Sequence, residues 1–133
     1  MDSERNTVSI VIIDDNPRSL EFVSAALSRP GVQILATTKP EDGIALISLH
    51  RPQIVLTDLA MPGMSGLDVL QKVKDFDPQI DVIVMSARES RGSPTRALQK
   101  GAVDYLEKPI ALSVLRQRVG GLIQKHMEKF TGS

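Results

Sequence analysis

The sequence predicts an α/β protein, a single doubly wound domain whose parallel sheet carries helices on both faces. Two observations carry this expectation. Short runs that are almost wholly apolar and rich in β-branched residues recur along the chain, as in Val8–Ile13 (VSIVII), and a strand reads this way when both its faces are covered. Between these runs, apolar residues fall at helical spacing. Strands that alternate with helices build parallel sheets through right-handed crossovers.

Each element has its own local reason. Val8–Ile13 is the first strand and runs into Asp14-Asp15-Asn16-Pro17, where Asn16 suits an N-cap and Pro17 the first helical position. Leu20, Val23 and Leu27 mark the helix that follows, and Arg29-Pro30-Gly31 stops it. Residues 32–36 form the second strand; Pro40 then opens a helix with Ile44, Leu46 and Ile47 that lasts until Arg51-Pro52. The third strand, 54–57, ends on Asp58 and a loop punctuated by Pro62, Gly63 and Gly66. Ser65 and Asp68 have capping-box spacing ahead of Leu67, Leu70 and Val73, and this helix ends near Asp77-Pro78. Residues 80–85 are the fourth strand, Ser86 to Gly92 a polar loop, and Ser93-Pro94 the start of a short helix that ends at Lys100-Gly101. The fifth strand, 103–106, leads into Glu107-Lys108-Pro109, after which Leu112, Leu115, Val119 and Leu122 mark the last helix. Gly120-Gly121 inside that helix cost about 1 kcal/mol each against alanine. The favoured strand order is the flavodoxin-like 2-1-3-4-5. The domain spans residues 8–127, with loose tails at 1–7 and 128–133.

Composition excludes several functions. The 16 basic and 16 acidic residues cancel, which argues against binding nucleic acid or a membrane surface by bulk attraction. There is no cysteine, so disulfides, thiolate metal sites and thiol nucleophiles are excluded. No apolar run reaches membrane-spanning length, and the polar start lacks the features of a signal peptide. The expectation is a soluble, cytoplasmic protein.

Ligands of open α/β sheets bind in the crevice beyond the carboxyl ends of the strands. Asp14 and Asp15 follow strand one and Asp58 ends strand three, and in the 2-1-3-4-5 order these strands are neighbours. Three carboxylates crowded there repel one another and push at least one pKa up. Such an oxygen cluster suits Mg²⁺, which takes one or two carboxylates and completes its shell with water and phosphate oxygen. A magnesium site beside a strand-end Asp points to phosphoryl transfer onto that Asp. Ser86 ends strand four with a hydroxyl, and Lys108 follows strand five with a movable charge suited to phosphate.

These residues are similar to a known pattern. Asp14-Asp15, Asp58 with Met61-Pro62-Gly63-Met64-Ser65-Gly66, Ser86-Ala87, and the run from Gly101 to Pro109 resemble the receiver domain of bacterial two-component response regulators, over roughly Val8 to His126. The resemblance implies that Asp58 accepts a phosphoryl group from phosphohistidine on a sensor histidine kinase or phosphotransfer protein, or from acetyl phosphate. It implies that Asp14, Asp15, Asp58 and the backbone carbonyl of Ala60 hold Mg²⁺. Lys108 would pair with phosphoryl oxygens, and its bond to Pro109 would be cis. Ser86 would move onto the phosphoryl group, and Tyr105 would swing into the space vacated. That changes the face of the fourth helix, fifth strand and fifth helix, which in the family also supports homodimers. The protein would be no enzyme beyond promoting its own phosphorylation and dephosphorylation. It would act through an output domain or effector, with no nucleic acid bound by this domain itself.

The chain departs from the family at several positions. Ser65 replaces a common Asp, and its capping-box role makes that harmless. Ile110 replaces Phe, and Pro94 delays the fourth helix. Ala60 and Arg88 stand at the positions that the resemblance implies tune dephosphorylation in the family, and Ala60 has no side chain to orient an attacking water. Taken singly, each site residue has a bland reading: Asp14 a turn, Asp15 a helix-terminus charge, Ser86 a turn residue, Lys108 a solvated charge, Tyr105 a packing residue. His50 and His126 read as surface residues. The joint pattern outweighs these readings for Asp14, Asp15, Asp58, Ser86 and Lys108. A degenerate receiver serving only as an interaction module is the alternative, and the intact set speaks against it. An aspartate-nucleophile hydrolase would want a second Asp where Ala60 stands. A flavin carrier would not place Asp14-Asp15 at its phosphate loop.

Overall fold

A computed structural model describes residues 6–87 and 93–131. Within them lie β1 (Val8–Ile13), α1 (Pro17–Leu27), β2 (Val32–Thr37), α2 (Pro40–His50), β3 (Ile54–Asp58), α3 (Gly66–Phe76), β4 (Asp81–Ser86), α4 (Pro94–Gln99), β5 (Asp104–Glu107) and α5 (Leu112–Thr131). The strands form one parallel sheet in the order β2-β1-β3-β4-β5, as the sequence predicts. Among the described residues no helix is long and apolar enough to cross a membrane.

Because side chains alternate along a strand, the central strands feed two apolar layers. Ile10, Ile12, Leu56, Ile83 and Met85 point to one face, where Val23 and Leu27 of α1 and Leu115, Val119 and Ile123 of α5 cover them. Val11, Ile13, Val55, Val82 and Val84 point to the other, against Ile47 of α2, Val69, Leu70 and Val73 of α3, and Ala97 of α4. Burial on both faces explains why β1 and β3 read as unbroken apolar runs.

The caps behave as their residue types require. Asn16 Oδ1 accepts from the Arg18 and Ser19 amides at 3.0 and 3.2 Å, with Pro17 opening α1. Ser65 and Asp68 form the reciprocal capping box at the start of α3. Ser93 Oγ accepts from Arg96 N, and Pro94 is the first residue of α4.

Several boundaries move. β4 and β5 each begin and end one residue later than expected, because the parallel register pairs Ser86 with Glu107. The expected tail from 128 is instead helical through Thr131. The reason is the apolar stripe of α5: Leu115, Val119 and Ile123 are buried, and Met127 and Phe130 continue the line onto the same core. Leu112, assigned to that stripe from spacing, is exposed. His126 does not lie on the surface. It is buried on the stripe side, with Nε2 2.8 Å from Asp81 Oδ2. Of the expected N-terminal tail, only Asn6 and Thr7 lie within the described residues, as Arg88 does not.

Candidate functional site

The carboxyl ends of β1, β3, β4 and β5 converge on one crevice. Asp14 leaves β1, Asp58 is the last residue of β3, Ser86 the last of β4, and Lys108 follows β5 directly. Each of Asp14, Asp15 and Asp58 offers a carboxylate oxygen, and these oxygens all lie within 4.8 Å of one another. Asp14 and Asp58 are buried, whereas Asp15 is exposed.

The backbone holds these groups in place. Asp14 N donates to Thr37 O at 3.2 Å, and Asp14 Oδ1 accepts from Asn16 N at 3.0 Å. Leu59 N donates to Asp58 Oδ1 at 3.1 Å and also to Met85 O at 2.7 Å, tying the end of β3 to its neighbouring strand. Lys108 N donates to Ser86 O at 2.7 Å, and the peptide bond from Lys108 to Pro109 is cis. Lys108 Nζ thereby reaches back to Asp14 Oδ2 at 2.7 Å and Asp58 Oδ1 at 3.4 Å.

The electrostatics of Asp58 follow from this crowding. Burial is the main cause that pushes its carboxyl from the ordinary 3.8 up to about 6. The Lys108 ammonium opposes the rise, while the Asp14 charge and a hydrogen bond shared with Asp15 reinforce it. A hard cation would reverse that penalty. An octahedral shell at Mg²⁺ distances separates its ligands by about 3 to 4 Å, so oxygens within 4.8 Å need only a small closing movement. The donor set therefore fits Mg²⁺.

Not every expected site residue joins the cluster. Ser86 is buried beside it, with Oγ donating to Ala87 O at 3.1 Å. Tyr105 is half-buried, opposite Val84, and packs on the side covered by α2, α3 and α4, away from the carboxylates. Ala60 lies exposed in the loop after Asp58.

Gly66 punctuates the loop and ends the Met61–Gly66 run, and the structure gives it a spatial reason. Its amide donates to Leu59 O at 2.6 Å, and an added Cβ would run into the Asp58 carbonyl oxygen and come within 2.8 Å of Leu59 Cα. Glycine at the first residue of a helix, eight positions after the acidic strand end, was the available signal. An opening of about 740 Å³ adjoins the cluster, between Arg18, Phe22 and Val23 of α1 and Lys108, Pro109 and Ile110.

Comparison with known proteins agrees with the fold. Residues 10–120 match the family described as the response regulator receiver domain. The chain is 35% identical over 119 residues to the transcriptional regulatory protein HprR of Escherichia coli K12, covering 90% of this chain and 53% of that protein. It is 30% identical to PilH of Pseudomonas aeruginosa, covering 86% of this chain and 96% of PilH. A response regulator receiver domain protein from Clostridium thermocellum superposes with a TM-score of 0.81 at 26% identity, covering 90% of this chain and 96% of the other. The chain spans about half the length of HprR and of several other relatives it matches.

Proposed function

The chain belongs to the response regulator receiver domain family of two-component signalling, and on that premise we propose that Asp58 is its phosphoryl acceptor. The observation that carries this reading is the convergence of three carboxylates and Lys108 at the ends of adjacent strands. An ionised Asp58 oxygen attacks the phosphorus of a phosphohistidine or of acetyl phosphate. The new O–P bond forms as the bond to imidazole nitrogen or acetate oxygen breaks. Rigid placement at a strand end supplies orientation, which together with electrostatic stabilisation is what a protein contributes to phosphoryl transfer.

Asp14, Asp15, Asp58 and the Ala60 carbonyl are the residues we assign to Mg²⁺, which when bound screens the charge that gathers on the transferring group. Lys108 is 2.7 Å from Asp14 and 3.4 Å from Asp58, so a small side-chain movement brings its ammonium onto a phosphoryl oxygen. Ser86 Oγ gives up its bond to Ala87 O and donates to another. Tyr105 then repacks on β5 and alters the face of α4, β5 and α5. Leu98 of α4 and Val103, just ahead of β5, are exposed at 48% and 42%, and we assign this face to a homodimer contact or an effector. A dimer that sediments as such only after phosphorylation would support this; a monomer in both states would remove it.

The partners in this reading are a sensor histidine kinase or phosphotransfer protein upstream and an output domain or effector downstream, and the receiver itself works in the cytoplasm. HprR is named as a transcriptional regulatory protein, and one structural neighbour is described as joined to a GGDEF domain. Neither output is carried over to this chain.

The test is intact-protein mass after incubation with acetyl phosphate, with and without Mg²⁺, beside Asp58→Ala. One phosphoryl adduct that needs both Mg²⁺ and Asp58 supports the reading. No adduct under conditions that label an active receiver would overturn it, and leave an interaction module.

A further inference from the structure

Glycine is required at some positions of this fold but not at two others. A Cβ on Gly43 would run into the Ile13 side chain, and one on Gly66 into the backbone of Asp58. In the middle of α5, by contrast, a Cβ on Gly120 or Gly121 would meet nothing within 4 Å. Packing does not explain this pair. Adjacent glycines weaken a helix through backbone entropy, and small-residue pairs are where helices bend.

The pair divides α5 into residues 112–119 and 122–131. Leu115 and Val119 bury the first part. The second part is held by Ile123, by Met127 and Phe130, and by one carboxylate. Asp81 Oδ2 lies 2.7 Å from Lys125 Nζ and 2.8 Å from His126 Nε2. The His126 side chain is only 7% exposed, so its ring is committed to that contact. Lys74 of α3 steadies the same corner by donating to Pro78 O and Ile80 O, at 3.2 and 2.5 Å, just ahead of Asp81. Space for bending is present as well. A cavity of about 250 Å³ lies between the end of α1 and α5, lined by Leu27, Arg29, Arg116, Gly120 and Ile123.

We propose that α5 is a two-part helix in which Gly120-Gly121 form a hinge and the contact of Asp81 with Lys125 and His126 is the latch that docks residues 122–131 on the sheet. The latch is built at the amino end of β4, and Ser86 stands at the carboxyl end of the same strand. Opening it frees Met127 and Phe130 from the core without disturbing the carboxylate cluster. This device is independent of the phosphoryl chemistry proposed above.

Amide hydrogen exchange on the whole chain, read by peptide mass, tests it. Asp81→Asn is expected to speed exchange in 122–131 by about tenfold, with 112–119 changing less than about twofold, because sub-global openings are local to the contacts that fail. Adding Gly120→Ala and Gly121→Ala to that background is expected to bring the two halves to similar rates. Alanines that merely stabilise the helix would slow both halves alike and leave their ratio unchanged, which would overturn the hinge. Uniform acceleration across α5 in Asp81→Asn, or none, would overturn the latch. Should Asp81→Asn fold poorly, His126→Phe keeps the buried volume, removes the polar contact, and is held to the same two outcomes. Labelling by acetyl phosphate is expected to be unchanged in these variants, so a failure of the latch is distinguishable from a failure of the acceptor reading.

Discussion

Replacing Asp58 by asparagine should stabilise the metal-free protein, and the gain should depend on pH with a definite sign. In the folded state burial, assisted by Asp14 and Asp15, raises the Asp58 carboxyl from 3.8 to about 6. Between those values the folded state holds a proton that the unfolded chain has lost, so stability falls as pH rises. The favourable contribution is fully present below pH 3.8 and is lost as pH passes through about 6. A carboxyl raised that far accounts for at most about 3 kcal/mol. Asparagine mimics the protonated acid, since its amide can donate to Asp15 as the acid proton does. Urea unfolding of both proteins from pH 4 to 8 in the presence of a chelator is the assay, with the slope m unchanged. The difference in stability should be small at pH 4 and grow to a plateau above pH 7. Added Mg²⁺ should then erode the plateau, because a ligand bound only by the folded wild type at 100 times its Kd stabilises it by about 2.7 kcal/mol. A difference that stays flat from pH 4 to 8 would show that crowding at the strand ends does not penalise the Asp58 charge, and the argument for a cation there would lose its physical basis.

Three further outcomes are expected. Gly66→Ala places a methyl against the Asp58 and Leu59 backbone, which cannot swing aside as a side chain does; it should cost about 1–3 kcal/mol in urea unfolding and slow acetyl phosphate labelling, and full stability would refute the contact. Gly43→Ala drives into both Cδ1 and Cγ1 of Ile13, while Ile13→Ala alone removes both atoms and leaves a void; the double variant should be more stable than the sum of the two single changes by about 1 kcal/mol, and strict additivity would show that the two residues do not share the space. Ala60→Asn supplies a side chain able to orient water near Asp58, so the adduct should disappear faster than in the wild type when followed by intact mass; an unchanged lifetime would mean that Ala60 does not limit hydrolysis.

The order and type of the elements were legible because burial on both faces leaves its mark residue by residue, as in β1, and because Asn16, Ser65 and Ser93 each announce a helix start through their own side chains. The carboxylate cluster was legible for a related reason: strand ends are sequence-local features, and strand order alone decides which ends meet. Side-chain reach is where local reading stopped. Lys108 was read as a phosphate partner, and the structure adds that its ammonium already lies on Asp14 and Asp58. His126 shows the limit most clearly. It follows Ile123 by three residues and Val119 by seven, so helical spacing alone puts it on the buried side of α5. What spacing could not supply was a partner, because Asp81 lies 45 positions earlier, on another element. A histidine on an apolar stripe is therefore better read as a demand for a distant partner than as a surface residue. Here that partner is an acid at the start of a strand, where a central parallel sheet would otherwise favour an apolar side chain. Asp81 breaks the apolar pattern of β4 and His126 breaks that of α5; each irregularity accounts for the other.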